Sequence, residues 1–490
     1  MNKPAVLVID QGTSATKGFI FDRQLRHIYG EKIRHKTVRP RPGWAETDAR
    51  EILIACRTLL RSLLEVCRRD SLSPQGAGMA FQRSTFLFWE RKSGDPSIPA
   101  ISWQDSRARE LTARFRNDGD WIQRITGIPL AAHFGGPKFL FCVEHDPELK
   151  SGIEGGDLLF GTVSAFVTHQ LTGNAVLDES IAGRTLFLDL EKMEWNSRLL
   201  DMFGISRDSL PQLVPTCGHH GTIKLDSDSI PLFCVMGDQQ AAMVGQGRSD
   251  IGDVAMNFGT SGSVLVNLGD HSTSVPSLLC NVLYSFEEER KYLLEGTING
   301  VGSLFRWLEA HLDIPHRKMK WDERCTGATQ GIVVPGINGI SAPYWTGEFD
   351  TALMGFTEST HPNELVRAAM ESIGFLVCDI WEILQEKLGD GLRDIVVSGG
   401  SSRSVLLQFI ADILNRPLWN SEGMDMTALG VAKLVARQIW DGQIDDLSDR
   451  RMKKFEPGMD DEIRSQKING WHDALRQLGI RDEQIKQTRG

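Results

Sequence analysis

Short apolar runs alternate with polar turns in the first part of the chain. Residues 5–9 (AVLVI) are apolar, residues 10–17 (DQGTSATK) are mostly polar, and residues 18–21 (GFIF) are again largely apolar. Two apolar runs on either side of a Gly-Thr-Ser turn predict a β-hairpin. The pattern returns at residues 254–258 and 264–266, around the turn GTSG. Two hairpins of this kind predict a chain with two similar halves.

Apolar residues at helical spacing separate further strand-like runs, and this alternation indicates α/β architecture. One predicted helix follows the Gly155-Gly156 turn, and another follows the turn GGSS at residues 399–402. The helices are predicted over residues 49–69, 157–171, 361–387 and 405–414, and a buried strand is predicted over residues 395–397.

A glycine-rich stretch, GQGRSDIG at residues 245–252, lies just before the second hairpin. A chain of 490 residues is long enough for two or three domains. We therefore predict an N-terminal domain over residues 1–248 and a C-terminal domain over residues 249–490. Beyond Lys453 charged residues of both signs are frequent, which predicts a solvated helical tail.

Composition and charge narrow the classes of partner. Hydrophobic residues make up 41% of the chain and charged residues 24%, which are ordinary globular values and argue against disorder. The net charge of −10 gives nucleic acid and anionic membranes no general attraction, so small molecules are the expected partners. The apolar stretches are too short to span a bilayer, and we expect a cytoplasmic protein. The eight cysteines are scattered without a C-x-x-C pair, as expected of buried reduced thiols.

The turns of the two predicted hairpins are candidates for phosphate binding. A Gly-Thr-Ser turn presents backbone N–H groups with hydroxyls beside them, and this arrangement suits a phosphate chain. The alternative is that Gly12 and Gly259 only supply the positive φ of a tight turn. The presence of the turn in both halves favours phosphate binding, because a nucleotide held between two domains needs a phosphate contact from each.

Two aspartates follow predicted strands in the first half. Asp10 ends the apolar run of residues 5–9, and Asp238 follows the run of residues 232–236. Carboxylates at the ends of parallel strands face a crevice, where they can hold a divalent cation or accept a proton. The alternative for Asp10 is a turn-initiating residue that caps its own backbone. Phosphoryl transfer needs a cation, backbone donors and a carboxylate that takes the hydroxyl proton, so the pair fits this reaction.

Arg83 and Trp103 stand in polar segments, FQRS and SWQDSR, that follow strand-like runs. An indole face can pack on the carbon atoms of a polyol while a guanidinium donates hydrogen bonds to its oxygens. The alternative, which composition alone favours, is a core tryptophan and a surface arginine.

Ordered motifs cover nearly the whole chain. They include DQGTSATKG from Asp10, FQRS from Phe81, GRTLF from Gly183, GDQQAA from Gly237, NFGTSGSVLV from Asn257, EGTINGVGSLFRWL from Glu295, SAPYW from Ser341, VSGGSSRS from Val397 and TALGVAKL from Thr427. With these motifs the sequence resembles the FGGY family of carbohydrate kinases, and within it the glycerol kinase branch.

The resemblance implies an α/β fold of two actin-like, ribonuclease-H-like domains with ATP in the cleft between them. It implies a kinase that transfers a phosphoryl group from ATP, with Mg²⁺, to a hydroxyl of a small sugar or polyol. Asp238 would be the general base, and Asp10 with Asp238 would hold the magnesium ion. The nucleotide would be bound by Gly12, Thr13, Ser14, Lys17, Gly259, Thr260, Gly302, Gly400 and Ser404, and the acceptor by Arg83, Trp103, Asp238 and Gln239.

Three positions depart from the pattern that the resemblance implies for glycerol kinases. Ser84 replaces a glutamate that binds glycerol hydroxyls, His133 replaces a tyrosine, and Ser263 replaces a phenylalanine that packs on the glycerol carbons. Loss of a carboxylate and two large rings predicts a wider acceptor pocket. We therefore expect an acceptor larger than glycerol, such as a four- to six-carbon polyol or ketose. The alternatives are a glycerol kinase and a catalytically silent nucleotide-binding sensor; a homo-oligomer is compatible with the resemblance.

Overall fold

The structure, a computed structural model, describes residues 2–325, 327–337, 339–347, 349–421, 423, 425–440 and 452–480. Strands and helices alternate along both halves of the chain, as the hydrophobic pattern predicts. All eight cysteines are buried and carry free thiols. Within the described ranges, no helix is long and apolar enough to cross a membrane.

The N-terminal half contains two series of elements. Its strands are β1 (Lys3–Gln11), β2 (Ala15–Asp22), β3 (His27–Arg34), β4 (Glu46–Thr47), β5 (Leu72–Phe81), β6 (Phe86–Glu90), β7 (Ala100–Ile101), β8 (Leu158–Thr162), β9 (Val176–Asp178), β10 (Leu188–Asp189), β11 (Glu194–Trp195), β12 (Gln212–Val214), β13 (Thr222–Leu225) and β14 (Asp228–Gly237). Its helices are α1 (Ala49–Arg69), α2 (Arg109–Thr112), α3 (Gly119–Thr126), α4 (Gly135–His145), α5 (Pro147–Glu154), α6 (Val163–Thr172), α7 (Glu179–Ala182), α8 (Ser197–Phe203) and α9 (Asp238–Gly245).

The C-terminal half continues both series. Its strands are β15 (Val254–Phe258), β16 (Gly262–Gly269), β17 (Leu279–Ser285), β18 (Arg290–Ile298), β19 (Ile332–Val334), β20 (Ala352–Met354), β21 (Ile395–Ser398), β22 (Leu418–Ser421) and β23 (Met452–Phe455). Its helices are α10 (Gly302–His311), α11 (Trp321–Arg324), α12 (Pro362–Leu388), α13 (Ser404–Leu414), α14 (Met426–Ile439) and α15 (Asp461–Gln477).

Each half is built around one mixed sheet, and the two sheets share an order of strands. In the first sheet β3, β2 and β1 are antiparallel, and β5 and β14 follow parallel to β1. In the second sheet β18, β16 and β15 are antiparallel, and β21 and β22 follow parallel to β15. The prediction of two hairpins in two similar halves is therefore confirmed. Because β1, β5 and β14 run parallel, Asp10 and Asp238 reach the same edge of the first sheet.

The predicted helices other than the one at 157–171 are confirmed, as is the strand at 395–397. Helix α1 begins after Asp48, whose side chain accepts a hydrogen bond from the backbone N–H of Arg50. Its buried residues recur every three or four positions, at Ile52, Cys56 and Leu59, so that one face of the helix covers the first sheet.

Residues 157–171 do not form the single helix that the pattern predicts. Leu158–Thr162 form β8, which pairs antiparallel with β6, and helix α6 begins at Val163. Every residue of β8 is buried. The prediction was wrong because a short apolar run does not distinguish a fully buried strand from the start of a buried helix.

The segment beyond Lys453 is docked on the C-terminal half and is not a fully solvated tail. Helix α15 buries Trp471, whose indole nitrogen donates to a carboxylate oxygen of Asp379 over 2.7 Å. The ring of Trp471 stacks on Phe375, with centroids 5.3 Å apart. The prediction of a helix is correct for this segment, but one face of the helix packs on α12. Residues 481–490 lie outside the described chain.

The two halves meet where helix α9 crosses helix α14. Helix α14 lies between β22 and β23 of the second sheet in sequence but packs on β1, β5 and β14 of the first. A side chain on Gly245 would lie 1.9 Å from the carbonyl oxygen of Met426, and one on Gly430 would lie 1.8 Å from the carbonyl oxygen of Ala241. The crossing therefore requires glycine at both positions. The domain boundary after residue 248 stays a prediction.

Candidate active site

A cleft of about 800 Å³ lies between the two halves. Its size is in the range of sites for small molecules and cofactors. Both hairpin turns line it, together with the start of α9 and the ends of β5 and β21. The sequence-predicted residues that line the cleft are Asp10, Gly12, Thr13, Ser14, Lys17, Arg83, Ser84, Trp103, His133, Asp238, Gln239, Gly259, Thr260, Ser263 and Gly400.

In each hairpin turn the backbone N–H of the glycine donates a hydrogen bond within the turn, three residues ahead in the first turn and two residues ahead in the second. The backbone N–H of Gly12 donates to the carbonyl oxygen of Ala15 over 2.9 Å, and that of Gly259 donates to Ser261 over 2.8 Å. In the described chain, the glycines with positive φ do not include Gly12 or Gly259. The alternative in which these glycines only supply a left-handed turn is therefore wrong. Their uncovered backbone instead permits close approach of a ligand.

Three charged side chains form a chain across one end of the cleft. The Lys17 ammonium lies 2.9 Å from a carboxylate oxygen of Asp10 and 2.7 Å from one of Asp425, which caps helix α14. Burial raises the pKa of Asp10 to about 7, although Lys17 acts to lower it. Burial acts to lower the pKa of Lys17, but Asp10 and Asp425 raise it overall. Since two carboxylates share one ammonium, this end of the cleft favours additional positive charge when both are ionised.

Asp238 is the first residue of helix α9, at the carboxyl end of β14. One carboxylate oxygen accepts a hydrogen bond from the backbone N–H of Gln239 over 2.8 Å and lies 3.6 Å from Nε of Arg83. Burial raises the pKa of Asp238, while Arg83 and the Gln239 N–H group act to lower it. A carboxylate with a raised pKa is better matched to accept a proton near neutral pH.

Arg83 is held by a carboxylate from the other half of the molecule. Its two terminal nitrogens donate to the two oxygens of Glu295 over 2.6 Å each. Arg184 and the hydroxyl of Ser263 also donate to Glu295, the latter over 2.9 Å. Glu295 is fully buried, and although burial acts to raise its pKa, Arg184 and Arg83 lower it to about 2. The reading of Arg83 as a surface arginine is therefore wrong.

Aromatic side chains border the same part of the cleft. The indole nitrogen of Trp103 donates to the Thr13 hydroxyl over 2.9 Å, which joins the acceptor end to the first hairpin turn. His133 stacks on Trp345, with ring centroids 5.9 Å apart and an interplanar angle of 15°. Burial, together with the positive charges of Lys138 and Arg184, lowers the pKa of His133 to about 3, so the ring is neutral at pH 7.

Comparison with known proteins decides the family. The model described as "FGGY family of carbohydrate kinases, N-terminal domain" matches residues 5–245, and that of the C-terminal domain matches residues 254–439. The chain belongs to the FGGY family of carbohydrate kinases. It is therefore a phosphotransferase with an alcohol group as acceptor, and the predicted two-domain fold and enzyme class are confirmed.

Related FGGY kinases align over nearly their full length. The glycerol kinase of Acidiphilium cryptum is 33% identical over 486 residues, covering 95% of this chain and 97% of the relative. Glycerol kinase 1 of Thermotoga maritima is 32% identical over 489 residues, covering 96% and 99%. The crystal structure of Plasmodium falciparum glycerol kinase with ADP superimposes with a TM-score of 0.86 and 30% identity, covering 97% and 98%. A xylulose kinase from Lactobacillus acidophilus shares the fold, with a TM-score of 0.82, 20% identity and coverage of 98% and 100%.

FGGY kinases use ATP as the phosphoryl donor, and the two hairpin turns of the cleft offer backbone donors for its phosphates. Among the described residues that line the cleft, two predicted nucleotide contacts are absent: Gly302 and Ser404. The N–H of Gly302 donates to the carbonyl oxygen of Gly259 over 3.0 Å, so this residue supports the turn from behind. Ser404 begins helix α13 and is exposed beside Lys453.

Sequence reasoning missed the residues behind the acceptor end of this FGGY site: Arg184, Glu295, Lys138 and Trp345. Arg184, Glu295 and Trp345 lie in GRTLF, EGTING and SAPYW, which are among the motifs on which the family resemblance rests. The sequence offered one signal for Glu295, which is the single charge after an apolar run in YLLEG. A charge in a buried strand requires a partner, so this pattern could have indicated a buried ion pair.

Proposed function

We propose that this kinase transfers the γ-phosphoryl group of ATP to a hydroxyl of a polyol or ketose of four to six carbons. The small size of two side chains at the acceptor end of the cleft supports an acceptor longer than glycerol. Small hydroxyl side chains stand at Ser84 and Ser263, and the Ser263 hydroxyl is directed to Glu295. Space at these two positions accommodates further carbons of an acceptor, whereas a three-carbon triol leaves it unfilled.

Asp238 is the general base in this proposal. Its carboxylate takes the proton of the acceptor hydroxyl as the hydroxyl oxygen attacks the γ-phosphorus, and the bond from phosphorus to the bridging oxygen of ADP breaks. Arg83, held beside Asp238, orients the acceptor through the N–H groups that are not bonded to Glu295 or Gln240. The acceptor carbons pack against Trp103, and Gln239 adds polar contacts near the reacting hydroxyl.

The phosphate chain of ATP lies between the turns at residues 12–14 and 259–260 in this proposal, with Gly400 beside the nucleotide. Lys17 leaves its contacts with Asp10 and Asp425 to meet the phosphates. The charges at this end of the cleft fit a bound Mg²⁺, because the carboxylates of Asp10 and Asp425 share the single ammonium of Lys17. Asp10 and Asp238 would hold the ion, which when bound would neutralise charge on the phosphate oxygens.

The test is ADP release with ATP and Mg²⁺ over a panel of acceptors, from glycerol through tetritols and pentitols to pentuloses and hexuloses. We expect one acceptor longer than three carbons to have the highest kcat/KM. Asp238→Asn is the inactive control, and Asp228→Asn, at the half-buried start of β14, the strand that precedes Asp238, is the matched variant that should keep activity.

Glycerol is the second candidate acceptor, since the relatives that are about 30% identical are glycerol kinases. Glycerol as the best acceptor would overturn the argument from Ser84 and Ser263 but leave the assignment of Asp238 intact. Binding of ATP without acceptor-dependent ADP release for any compound would instead favour a catalytically silent sensor.

A further inference from the structure

Glu295 connects the acceptor end of the cleft to the second sheet. It stands on β18, where its side chain is fully buried, and it lies 212 residues from Arg83 in sequence. Its two carboxylate oxygens receive donors from Arg83, Arg184 and Ser263. Arg83 and Arg184 belong to the N-terminal half, whereas Glu295 and Ser263 belong to the C-terminal half. The carboxylate is therefore shared between the two halves.

The contact with Arg83 is bidentate. Each terminal nitrogen of the guanidinium meets one oxygen of Glu295 over 2.6 Å, and one of these nitrogens also donates to Gln240 over 3.1 Å. A forked pair of parallel hydrogen bonds fixes the plane and the direction of a guanidinium. With both terminal nitrogens held, Nε of Arg83 is left 3.6 Å from the Asp238 carboxylate. Glu295 thereby sets the position of Arg83 relative to Asp238.

The charges of this cluster balance. Arg83 and Arg184 carry two positive charges, and Glu295 and Asp238 carry two negative charges when both are ionised. Removing four charges from water is costly, and a buried ion cluster is weak evidence for a stabilising role. Within the described chain, Nε of Arg184 is buried without a hydrogen-bond partner, which adds to that cost. The arrangement is better explained by the geometry it imposes on Arg83 than by stability.

We propose that Glu295 is a positioning residue for phosphoryl transfer, which holds Arg83 beside Asp238 from the opposite half of the molecule. The acceptor site is then complete only when the second sheet is docked against the first. In the described part of the chain, the hydrogen-bond partners of Arg83 and Glu295 do not include residues 12–14. This inference rests on the proposed function, because it assumes that Arg83 orients the acceptor and that Asp238 takes its proton.

The test compares steady-state kinetics of wild type, Glu295→Gln and Glu295→Asp on the best acceptor of the panel. Loss of the charged partner should raise the acceptor KM of Glu295→Gln at least about tenfold while the KM for ATP changes less than about twofold. Glu295→Asp keeps the negative charge on a shorter side chain, so its acceptor KM should lie between that of wild type and that of Glu295→Gln. Glu288→Gln, in the exposed turn before the same strand, is the matched control and should behave as wild type.

A purely structural role for Glu295 would lower the amount of folded enzyme, but it would leave the acceptor KM of the folded fraction unchanged, and that result would overturn the proposal. If Glu295→Gln does not fold, Glu295→Gln combined with Arg184→Met restores the charge balance. The double variant should fold and keep a raised acceptor KM, whereas a wild-type KM would overturn the proposal.

The two proposals fail differently. Acceptor-dependent turnover in wild type that persists in Asp238→Asn would overturn the proposed function and this inference with it. Turnover that is lost in Asp238→Asn but shows a wild-type acceptor KM in Glu295→Gln would overturn only the role of Glu295.

Discussion

The hydroxyl of Ser263 donates a hydrogen bond over 2.9 Å to the Glu295 carboxylate, which also holds Arg83. Ser263 and Glu295 lie on the paired strands β16 and β18 of the second sheet. The bond turns the hydroxyl toward the buried cluster, so that a small side chain forms this part of the cleft wall. Position 263 therefore contributes both to the space available for the acceptor and to the hydrogen bonds of Glu295.

Ser263→Phe should narrow the acceptor end of the cleft. We expect kcat/KM for the best long acceptor to fall by about 10- to 200-fold, the range in which pocket shape alone discriminates substrates, while glycerol is affected less. Ser263→Ala is the matched variant, because it loses the hydrogen bond but keeps the space, and it should retain the preference for long acceptors. An unchanged order of acceptors in Ser263→Phe would show that this position does not limit acceptor length.

The pH dependence of kcat/KM should reveal the raised pKa of the Asp238 carboxyl group. The base must be ionised to accept a proton, so activity is lost as the pH falls through its pKa. Burial raises the pKa of Asp238 above the ordinary value of about 4. Activity should therefore begin to fall at a higher pH than it would with an ordinary aspartate as the base. A profile of kcat/KM that stays flat down to about pH 4 would contradict a raised pKa for Asp238.

Lys138→Met should weaken acceptor binding without affecting ATP. The fully buried ammonium of Lys138 donates to the carbonyl oxygens of Ser84 and Ser102, over 2.8 and 2.7 Å, and so joins the two segments that carry Arg83 and Trp103. Loss of these bonds releases both segments, and we expect the acceptor KM to rise by about tenfold, since small displacements of positioning groups are costly.

The matched control for this variant is Lys150→Met, on the exposed face of α5. It should leave both KM values unchanged. Equal increases in the KM for ATP and for the acceptor in Lys138→Met would instead indicate a general loss of structure. Thermal unfolding of both variants, measured alongside, separates a change in stability from a change in the site.

Asp178→Asn should stabilise the protein at high pH. Burial raises the pKa of Asp178 to about 7, although hydrogen bonds from Ser180 and Thr216 act to lower it. Because the folded state binds this proton more tightly than the unfolded state, the carboxyl makes stability fall as the pH rises from about 4 to about 7. The free energy of unfolding of the variant should exceed that of wild type at pH 8 by up to about 4 kcal/mol, since about three pKa units separate the folded and unfolded states and each corresponds to about 1.4 kcal/mol.

Chemical denaturation at pH 5 and pH 8 measures this difference. The advantage of Asp178→Asn should shrink toward pH 5, where the folded wild-type carboxyl is already protonated. A difference in the free energy of unfolding that does not change with pH would contradict the assigned cause.

The sequence alone determined those strands and helices that a hydrophobic pattern within a short stretch of chain specifies. Alternating apolar runs around a Gly-Thr-Ser turn specified both hairpins, and apolar spacing specified α1 and α12, because these patterns reflect which face of an element is buried. Position after a strand pointed to Asp10 and Asp238 as cleft residues, and the family resemblance added Arg83 and Trp103. Local pattern was insufficient for β8, where a short run buried on every side carries no periodicity.

Only the tertiary structure decided which distant residues complete the site. Glu295 meets Arg83 and Arg184, and Asp425 meets Lys17, across 408 residues in the last case. No spacing along the chain encodes these contacts, because they depend on how the two sheets and helix α14 pack together. A buried charge shows in the sequence only that it needs a partner, and the packing of the two halves determines which partner it has.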